Sequence, residues 1–194
     1  METNKDIARE SIINAASIAF SKYGYKKTTL DDIAAFTNVS KTGMYYYFKN
    51  KEEVFNAVIK KEAAKMQEYL TEVINQENTP IDKVFAYVNG RMSFLERISN
   101  YYSALKNDLF EQLGAIYNNR EEFDKIELEA LINILEEGIE KGDFFIEDTF
   151  ETAMTIMMTL KSLEIPFFGT EKPMDYKKHL DKLTSLLLYG LTPR

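Results

Sequence analysis

The sequence of 194 residues has no cysteine, four prolines, eight glycines and one histidine. Without cysteine it can form neither a disulfide framework nor a thiolate site for zinc. The few prolines and glycines leave little room for long disordered linkers. The N-terminal residues are polar and no apolar run approaches membrane-spanning length, so we expect no secretory signal peptide and no membrane segment. These absences favour a cytoplasmic protein without a metal site or a cofactor.

The charge is distributed unevenly, although the composition is ordinary. Apolar residues make up 45% and charged residues 28%, as in a typical globular protein with a real core. The net charge of -7 divides into +2 for residues 1–60 and -9 for residues 61–194, and residues 22–51 hold six lysines against two aspartates. This asymmetry is typical of a small DNA-reading head on an acidic body. A chance fluctuation of surface charge would also produce it.

Apolar side chains recur at three- and four-residue spacing along almost the whole chain, which predicts helices. Gly24 is expected to end the first helix. Thr29 and Ser40 suit the N-caps of the second and third helices, and Asn38 in the turn between them tolerates a positive φ. The remaining helices are predicted at about residues 51–75, 80–98, 101–113, 120–141, 149–165 and 176–189. We therefore expect an all-α protein of about nine helices.

Three consecutive tyrosines stand in the third predicted helix, at positions 45, 46 and 47. One helix face cannot bury all three, so at least one must point outward. Met44 and Phe48, four residues apart, should anchor this helix to the core, and Tyr45 is the tyrosine that we expect to be partly buried. The lysines on either side indicate that the partner of the exposed rings is a polyanion.

Four consecutive motifs surround these features: FSKYGY at 20–25, TTLDDIA at 28–34, VSKTGMYYYF at 39–48 and KNKEEVF at 49–55. With them, the segment from about residue 7 to residue 55 resembles the TetR (tetracycline-repressor-type) family of bacterial transcription regulators. The resemblance implies a helix-turn-helix DNA-binding domain at residues 1–50. It also implies a helical effector-binding and dimerisation domain at residues 51–194, with the helix at about 51–75 connecting the two. Such a protein is expected to act as a repressor that binds a palindromic operator as a homodimer and leaves it when a small molecule binds.

The N-terminal residues of the second helix in such a motif approach the bases of the major groove. Lys41 can donate to guanine or phosphate, Thr42 can contact a base edge or a thymine methyl, and Gly43 lets the backbone come close. A phosphate can also bind at the helix N-terminus that Thr29 begins. The resemblance adds contacts from the tyrosines and from Lys51. The predicted DNA-binding residues are therefore Thr29, Ser40, Lys41, Thr42, Gly43, Tyr45, Tyr46, Tyr47 and Lys51.

Two further sites are predicted beyond the head, and for both the competing interpretation is simple core packing. An apolar, aromatic effector pocket is expected, for a neutral or cationic ligand rather than an anion. Its candidate residues are Tyr87, Met92, Tyr101, Tyr102, Phe110, Tyr117, Phe123, Met154 and Met158. A dimer interface is expected on the last two helices. Its candidate residues are Ile156, Leu160, Leu163, Leu180, Leu183 and Leu187.

An enzyme and a helical adaptor that binds only protein are the competing functional classes. His179 lies among lysines in the last predicted helix and is better explained as a surface residue than as a general base. The sequence shows no phosphate-cradling glycine loop, nucleophile elbow or metal-ligand spacing. An adaptor would leave the exposed tyrosines and the N-terminal lysines without a purpose. A DNA-binding regulator is therefore the main hypothesis, with a regulator that lacks a small-molecule effector as its alternative.

Overall fold

The computed structural model describes residues 4–164 and 176–191, without the side chains of residues 106, 107, 109, 110 and 176–179. Within these ranges the chain forms eight α-helices, one 3₁₀ helix and no strand, which confirms the all-α prediction. The helices are α1 (Asn4–Lys27), α2 (Leu30–Ala34), α3 (Lys41–Tyr47), α4 (Lys51–Asn75), α5 (Pro80–Tyr101), the 3₁₀ helix (Ser103–Asn107), α6 (Leu109–Glu140), α7 (Thr149–Ser162) and α8 (Tyr176–Leu191). None of the helices in the described part combines the length and apolarity needed to cross a membrane.

Helix α6 is one continuous helix of 32 residues, so the two predicted helices at 101–113 and 120–141 are wrong. The expected break at Gly114 does not occur, because a glycine inside a helix costs only about 1 kcal/mol relative to alanine. A helix of this length tolerates that cost. Asn119, expected to mark the break, instead donates its side-chain amide to the Ala115 carbonyl at 2.8 Å. The chain turns earlier, in the 3₁₀ helix.

The helices belong to two compact units. The head unit comprises Met1–Ala63 with Ile98–Glu121, and the body unit comprises Ala64–Arg97 with Glu122–Arg194. These units reflect packing, and the predicted division of function at residue 50 stays a prediction.

The core of the head unit is almost entirely apolar. It combines buried side chains of α1 to α4 with Tyr102, and Phe20 and Phe55 meet edge to face with ring centroids 5.3 Å apart. The hydroxyl of Tyr102 bonds with Ser17 Oγ at 2.5 Å and donates to Glu62 Oε1 at 3.0 Å. Burial is the main cause that raises the pKa of Tyr102, and the charge of Glu62 adds to it. The tyrosine therefore serves as a neutral donor joining α1 and α4.

Gly24 interrupts the regular geometry of α1, with φ 77° and ψ 174°. A positive φ favours glycine, and a Cβ at this position would lie 2.8 Å from the Ala104 carbonyl oxygen. Just beyond it, the Lys26 amide donates to Asp108 Oδ2 at 2.9 Å and the Lys26 ammonium pairs with Glu111 at 2.6 Å. The glycine thus permits the close approach of residues 104–111 to the end of α1.

The body unit contains a buried charge network between α5, α6 and the residues after α7. The Arg91 side chain is fully buried, and its Nε donates to Glu127 at 2.6 Å and its Nη2 to Glu164 at 2.5 Å. Burial alone lowers the pKa of Arg91, but the two carboxylates outweigh this effect and raise it. The Tyr87 hydroxyl also donates to Glu127, at 2.7 Å. Burial and the charge of Glu127 raise the pKa of Tyr87, so its hydroxyl stays protonated.

Candidate nucleic-acid interface

Helix α2 begins with the predicted cap at Thr29. The Thr29 hydroxyl accepts a hydrogen bond from the Asp32 amide at 3.2 Å, and the Asp32 carboxylate accepts one from the Thr29 amide at 2.8 Å. This reciprocal pair is a capping box, which satisfies two of the backbone amides that a helix start leaves open. The hydrogen bonds from the Thr29 hydroxyl and amide hold the pKa of Asp32 below its ordinary value.

The turn between α2 and α3 is closed by the Thr37 side chain. Its hydroxyl donates to the Ala34 carbonyl at 3.0 Å and accepts from the Val39 amide, also at 3.0 Å. Every non-glycine residue that the structure describes has a negative φ, so Asn38 does not adopt the positive φ that an asparagine tolerates. The Thr37 hydroxyl supplies the hydrogen bonds that reverse the chain, and no left-handed residue is needed.

Helix α3 packs against the rest of the head unit on one face only. The predicted cap at Ser40 is confirmed, because its hydroxyl accepts from the Gly43 amide at 3.1 Å. Met44 is fully buried and Phe48 is 3% exposed, as their spacing predicts. A Cβ on Gly43 would lie 3.0 Å from Val39 Cγ1, so packing within the motif itself favours glycine here. Lys41 and Thr42, at the start of the helix, remain exposed.

The three tyrosines divide into two exposed rings and one half-buried ring. Tyr45 is 55% exposed and Tyr46 70% exposed, whereas Tyr47 packs against the head core. The prediction of an outward tyrosine is confirmed, but Tyr45 is not the partly buried one. Each residue turns a helix by roughly 100°, so positions 47 and 48 bracket the inward direction of position 44, and positions 45 and 46 point away from it. The outer surface of α3 therefore carries two phenol groups.

The two predicted lysine contacts differ in their surroundings. The Lys41 ammonium pairs with the exposed Asp31 carboxylate, which raises the pKa of Lys41 through a hydrogen bond and through its charge. Nothing in the sequence pattern points to this pair, which joins residues ten positions apart across the turn. An exposed ion pair of this kind is weak and screened by salt, so Lys41 stays available to a stronger anion.

Lys51 supports the end of α1. Its ammonium donates to the Tyr25 carbonyl at 2.7 Å and lies 4.4 Å from the centre of the Tyr25 ring. Burial lowers the pKa of Lys51, and the charge of Asp108 partly opposes this effect. The ammonium also donates to the Lys26 carbonyl at 3.4 Å. A lysine ammonium has three donors, so these two bonds leave capacity for one further acceptor.

Together, α2, the turn and α3 form a helix-turn-helix. Its second helix exposes a lysine, a threonine and two tyrosines. A helix of this size fits the major groove, where such side chains reach base edges and phosphates. Residues 12–58 match the sequence model for bacterial regulatory proteins of the tetR family. This segment belongs to the tetR family of bacterial regulatory proteins. The match and the helix-turn-helix geometry together identify a DNA-binding regulator of transcription, which confirms the main hypothesis.

Known TetR-family proteins resemble this chain well beyond the head. The transcriptional regulator QacR of Staphylococcus aureus is 25% identical over 190 residues, which cover 95% of this chain and 98% of QacR. IcaR of the same species, a negative transcriptional regulator of the biofilm operon icaADBC, is 30% identical over 122 residues, 60% of this chain and 63% of IcaR. A transcriptional regulator from Cytophaga hutchinsonii has a similar structure, with a TM-score of 0.78 and 27% identity over 95% of this chain and 98% of that one.

The predicted pocket residues fall in both units, and the pocket itself stays a prediction. Tyr101, Tyr102 and Tyr117 belong to the head unit, where Tyr102 is part of the core. The body unit holds Tyr87, Met92, Phe123, Met154 and Met158. Tyr87 and Met92 are buried, Phe123 and Met154 are half-buried, and Met158 is exposed. The side chain of Phe110 lies outside the described residues.

The residues predicted for the dimer interface lie on α7, just after it, and on α8. Ile156, Leu160 and Leu180 are buried within the protomer itself. Leu163, Leu183 and Leu187 are half-buried. The residues predicted for the interface do not include the exposed Met158, Leu186 and Tyr189 of the same helices, because apolar periodicity marks the face that packs inward.

Proposed function

We propose that this TetR-family regulator represses transcription by binding a roughly palindromic operator in double-stranded DNA as a homodimer. In this proposal a small molecule that binds the body unit releases the operator. The observation that carries the DNA contact is the one-sided anchoring of α3. Met44 and Phe48 fix the helix from the inside, while Lys41, Tyr45 and Tyr46 face the partner. The relative IcaR is a negative regulator, which supports repression. We infer a cytoplasmic protein from the proposed binding to chromosomal DNA.

Dimerisation follows from the small size of the DNA-reading helix. One α3 of seven residues reaches few bases, and two heads related by a two-fold axis read a longer, palindromic site. The apolar residues exposed on a protomer support an interface on α7 and α8: Met158 is 61% exposed, Leu186 57% and Tyr189 67%. Large exposed apolar side chains of this kind are typical of surfaces that another chain covers.

An effector shifts the protein from its DNA-bound state only by the difference between its affinities for the two conformations. We propose a neutral or cationic, largely apolar ligand for this protein. The acidic sequence after residue 60 supports this choice, and the buried Tyr87 and Met92 supply apolar and aromatic surface in the body unit. Such a ligand would need to favour the conformation that does not bind the operator.

The test is fluorescence anisotropy with labelled duplexes from the gene's own upstream region and from scrambled DNA. We expect selective binding, with log affinity falling linearly with log salt concentration. The double variant Lys41→Ala/Tyr46→Ala should lose about tenfold or more in affinity, since a base contact is worth roughly 1–3 kcal/mol. Lys60→Ala, an exposed lysine of α4 in the head unit, controls for the loss of a positive charge.

Three results would contradict parts of this proposal. If the double variant binds the duplexes as tightly as Lys60→Ala does, α3 is not the DNA-reading helix. If the wild-type protein shows no preference for any duplex in a genome-wide selection of bound fragments, the head does not read DNA. If the protein binds selectively but no member of a broad library of neutral and cationic compounds releases the duplex, a regulator without an effector is favoured.

A further inference from the structure

The first turns of α1 place two cationic side chains beside α3. The Lys5 ammonium lies 5.2 Å from the centre of the Tyr46 ring, and the Arg9 guanidinium lies 4.9 Å from the centre of the Phe48 ring. Lys5 and Arg9 are four residues apart, so they share one face of α1. We propose that Lys5 binds a DNA phosphate, and that the DNA-contacting surface extends from α3 onto this face of α1. The inference rests on the proposed DNA binding.

The two cations do not have the same role. Phe48 is 3% exposed, so Arg9 lies over a ring that belongs to the core and helps to cover it. Tyr46 is 70% exposed, and a lysine beside such a ring covers no core surface. Cation–π contacts at exposed sites are weak, so packing alone gives little reason for the position of Lys5. No hydrogen bond joins its ammonium to another residue in the described ranges, so its three donors can serve a partner outside the chain.

The acidic residues of the same turns lie on a different face. Asp6 and Glu10 follow Lys5 and Arg9 by one residue each, which turns them by roughly 100° around the helix. Glu10 pairs with Lys61 of α4, so this acidic face lies toward α4 while the basic face lies toward α3. In the part of the chain that the structure describes, Lys5 makes no ion pair with a carboxylate. The segregation leaves a positive charge at the edge of the DNA-reading helix.

A phosphate is the ligand that fits this position. Lys5 lies beside Tyr46, whose exposed hydroxyl is proposed to contact the DNA, and a flexible ammonium is a suitable point charge for a nearby phosphate oxygen. Phosphate contacts position a protein on the duplex and carry no sequence information. Lys5 should therefore contribute to affinity for any duplex, and the base contacts of α3 should supply selectivity.

The test compares Lys5→Ala with the matched control Lys60→Ala, which removes the same charge from an exposed position of α4. The slope of log affinity against log salt should become shallower by about 0.9 for each phosphate that the variant no longer neutralises, hence by about 1.8 for a dimer. Affinity at low salt should fall by a similar factor on operator and scrambled duplexes. Lys5→Arg should restore both, because it keeps the charge. Circular dichroism checks that each variant remains folded.

Three results separate the possibilities. If Lys5→Ala has the same salt slope and affinity as Lys60→Ala, the phosphate contact does not exist. If Lys5→Ala weakens only operator binding and leaves the slope unchanged, Lys5 reads bases, which also overturns the proposal. If the wild-type protein binds no duplex, the proposed function itself fails, and this outcome is distinct from the first two because it appears without any substitution.

Discussion

The head and body units use charged side chains in opposite ways. In the head unit the core is apolar, and Lys41 with its partner Asp31 lies at the surface, where an ion pair is weak. In the body unit Arg91 is fully buried against Glu127 and Glu164. Lys41 of the head therefore remains available to an external anion, whereas Arg91 and its partners are committed to holding the body together.

Buried and exposed charges also differ in what their removal costs. Removing one partner of a buried network leaves an uncompensated charge in a medium of low dielectric constant, and the cost is about 3–5 kcal/mol. Among the residues that the structure describes, Arg91 Nη1 finds no hydrogen-bond partner, so this part of the chain does not fully satisfy the network. Replacing a network of this kind with apolar residues as a whole is often neutral or stabilising. The stability of the body unit therefore falls when one member of the network is removed, but it does not require a charged network in place of apolar residues.

The largest expected effect comes from Arg91→Met. We expect the free energy of unfolding to fall by about 3–5 kcal/mol, because Glu127 and Glu164 lose their counter-charge. The combined variant Arg91→Met/Tyr87→Phe/Glu127→Leu/Glu164→Leu, which also removes the hydroxyl that donates to Glu127, should recover most of this loss. Urea denaturation followed by circular dichroism measures both. As a control, Lys141→Met breaks an exposed pair with Glu137 and should change stability little. An Arg91→Met variant as stable as the control would remove the distinction between the two units.

A second comparison lies within the head unit, where backbone conformation matters more than charge. Gly24→Ala should lower the free energy of unfolding by about 1–3 kcal/mol, because φ is 77° and a Cβ would lie 2.8 Å from the Ala104 carbonyl oxygen. Gly114→Ala should raise it by up to about 1 kcal/mol, because this glycine is helical and a Cβ there meets open space. The same urea titrations measure both. If both variants change the free energy of unfolding in the same direction, the positive φ at Gly24 does not determine the effect of adding a Cβ there.

The contrast between the units also explains what the sequence could predict. The caps at Thr29 and Ser40 bond to residues three positions further on, so local spacing was enough to find them. The Arg91 network joins residues 36 and 73 positions apart, and no periodic pattern marks such pairs. A sequence shows that a helix has an apolar face but does not show which charged side chain is buried opposite another.

The predictions that failed within the head unit concern residues whose intrinsic conformational preference is overridden by their surroundings. Tyr45 and Tyr47 are the same residue type, and only the direction of Met44 decides which of them turns inward. Gly114 and Asn119 disfavour a helix by small amounts that a long helix tolerates. Asn38 permits a positive φ but does not require one, and the Thr37 hydroxyl closes the turn without it. Propensity indicates what a residue tolerates, and tertiary contacts determine what it does.

The smallest expected effect is a pH dependence in the head. The hydrogen bonds from Thr29 place the folded-state pKa of Asp32 below its ordinary value of 3.8. The carboxylate therefore stabilises the folded state above about pH 3.8, and this contribution is lost as the pH falls through the lowered pKa. Asp32→Asn should reduce the thermal midpoint slightly at pH 7, and the difference from wild type should shrink toward pH 3. Asp181→Asn, at an exposed aspartate of α8 in the body unit, controls for the loss of a charge. If the difference in thermal midpoint between Asp32→Asn and wild type stays constant from pH 7 to pH 3, the substitution acts through shape or packing and not through the lost charge. The capping box would then stabilise α2 without any contribution from the ionisation of Asp32.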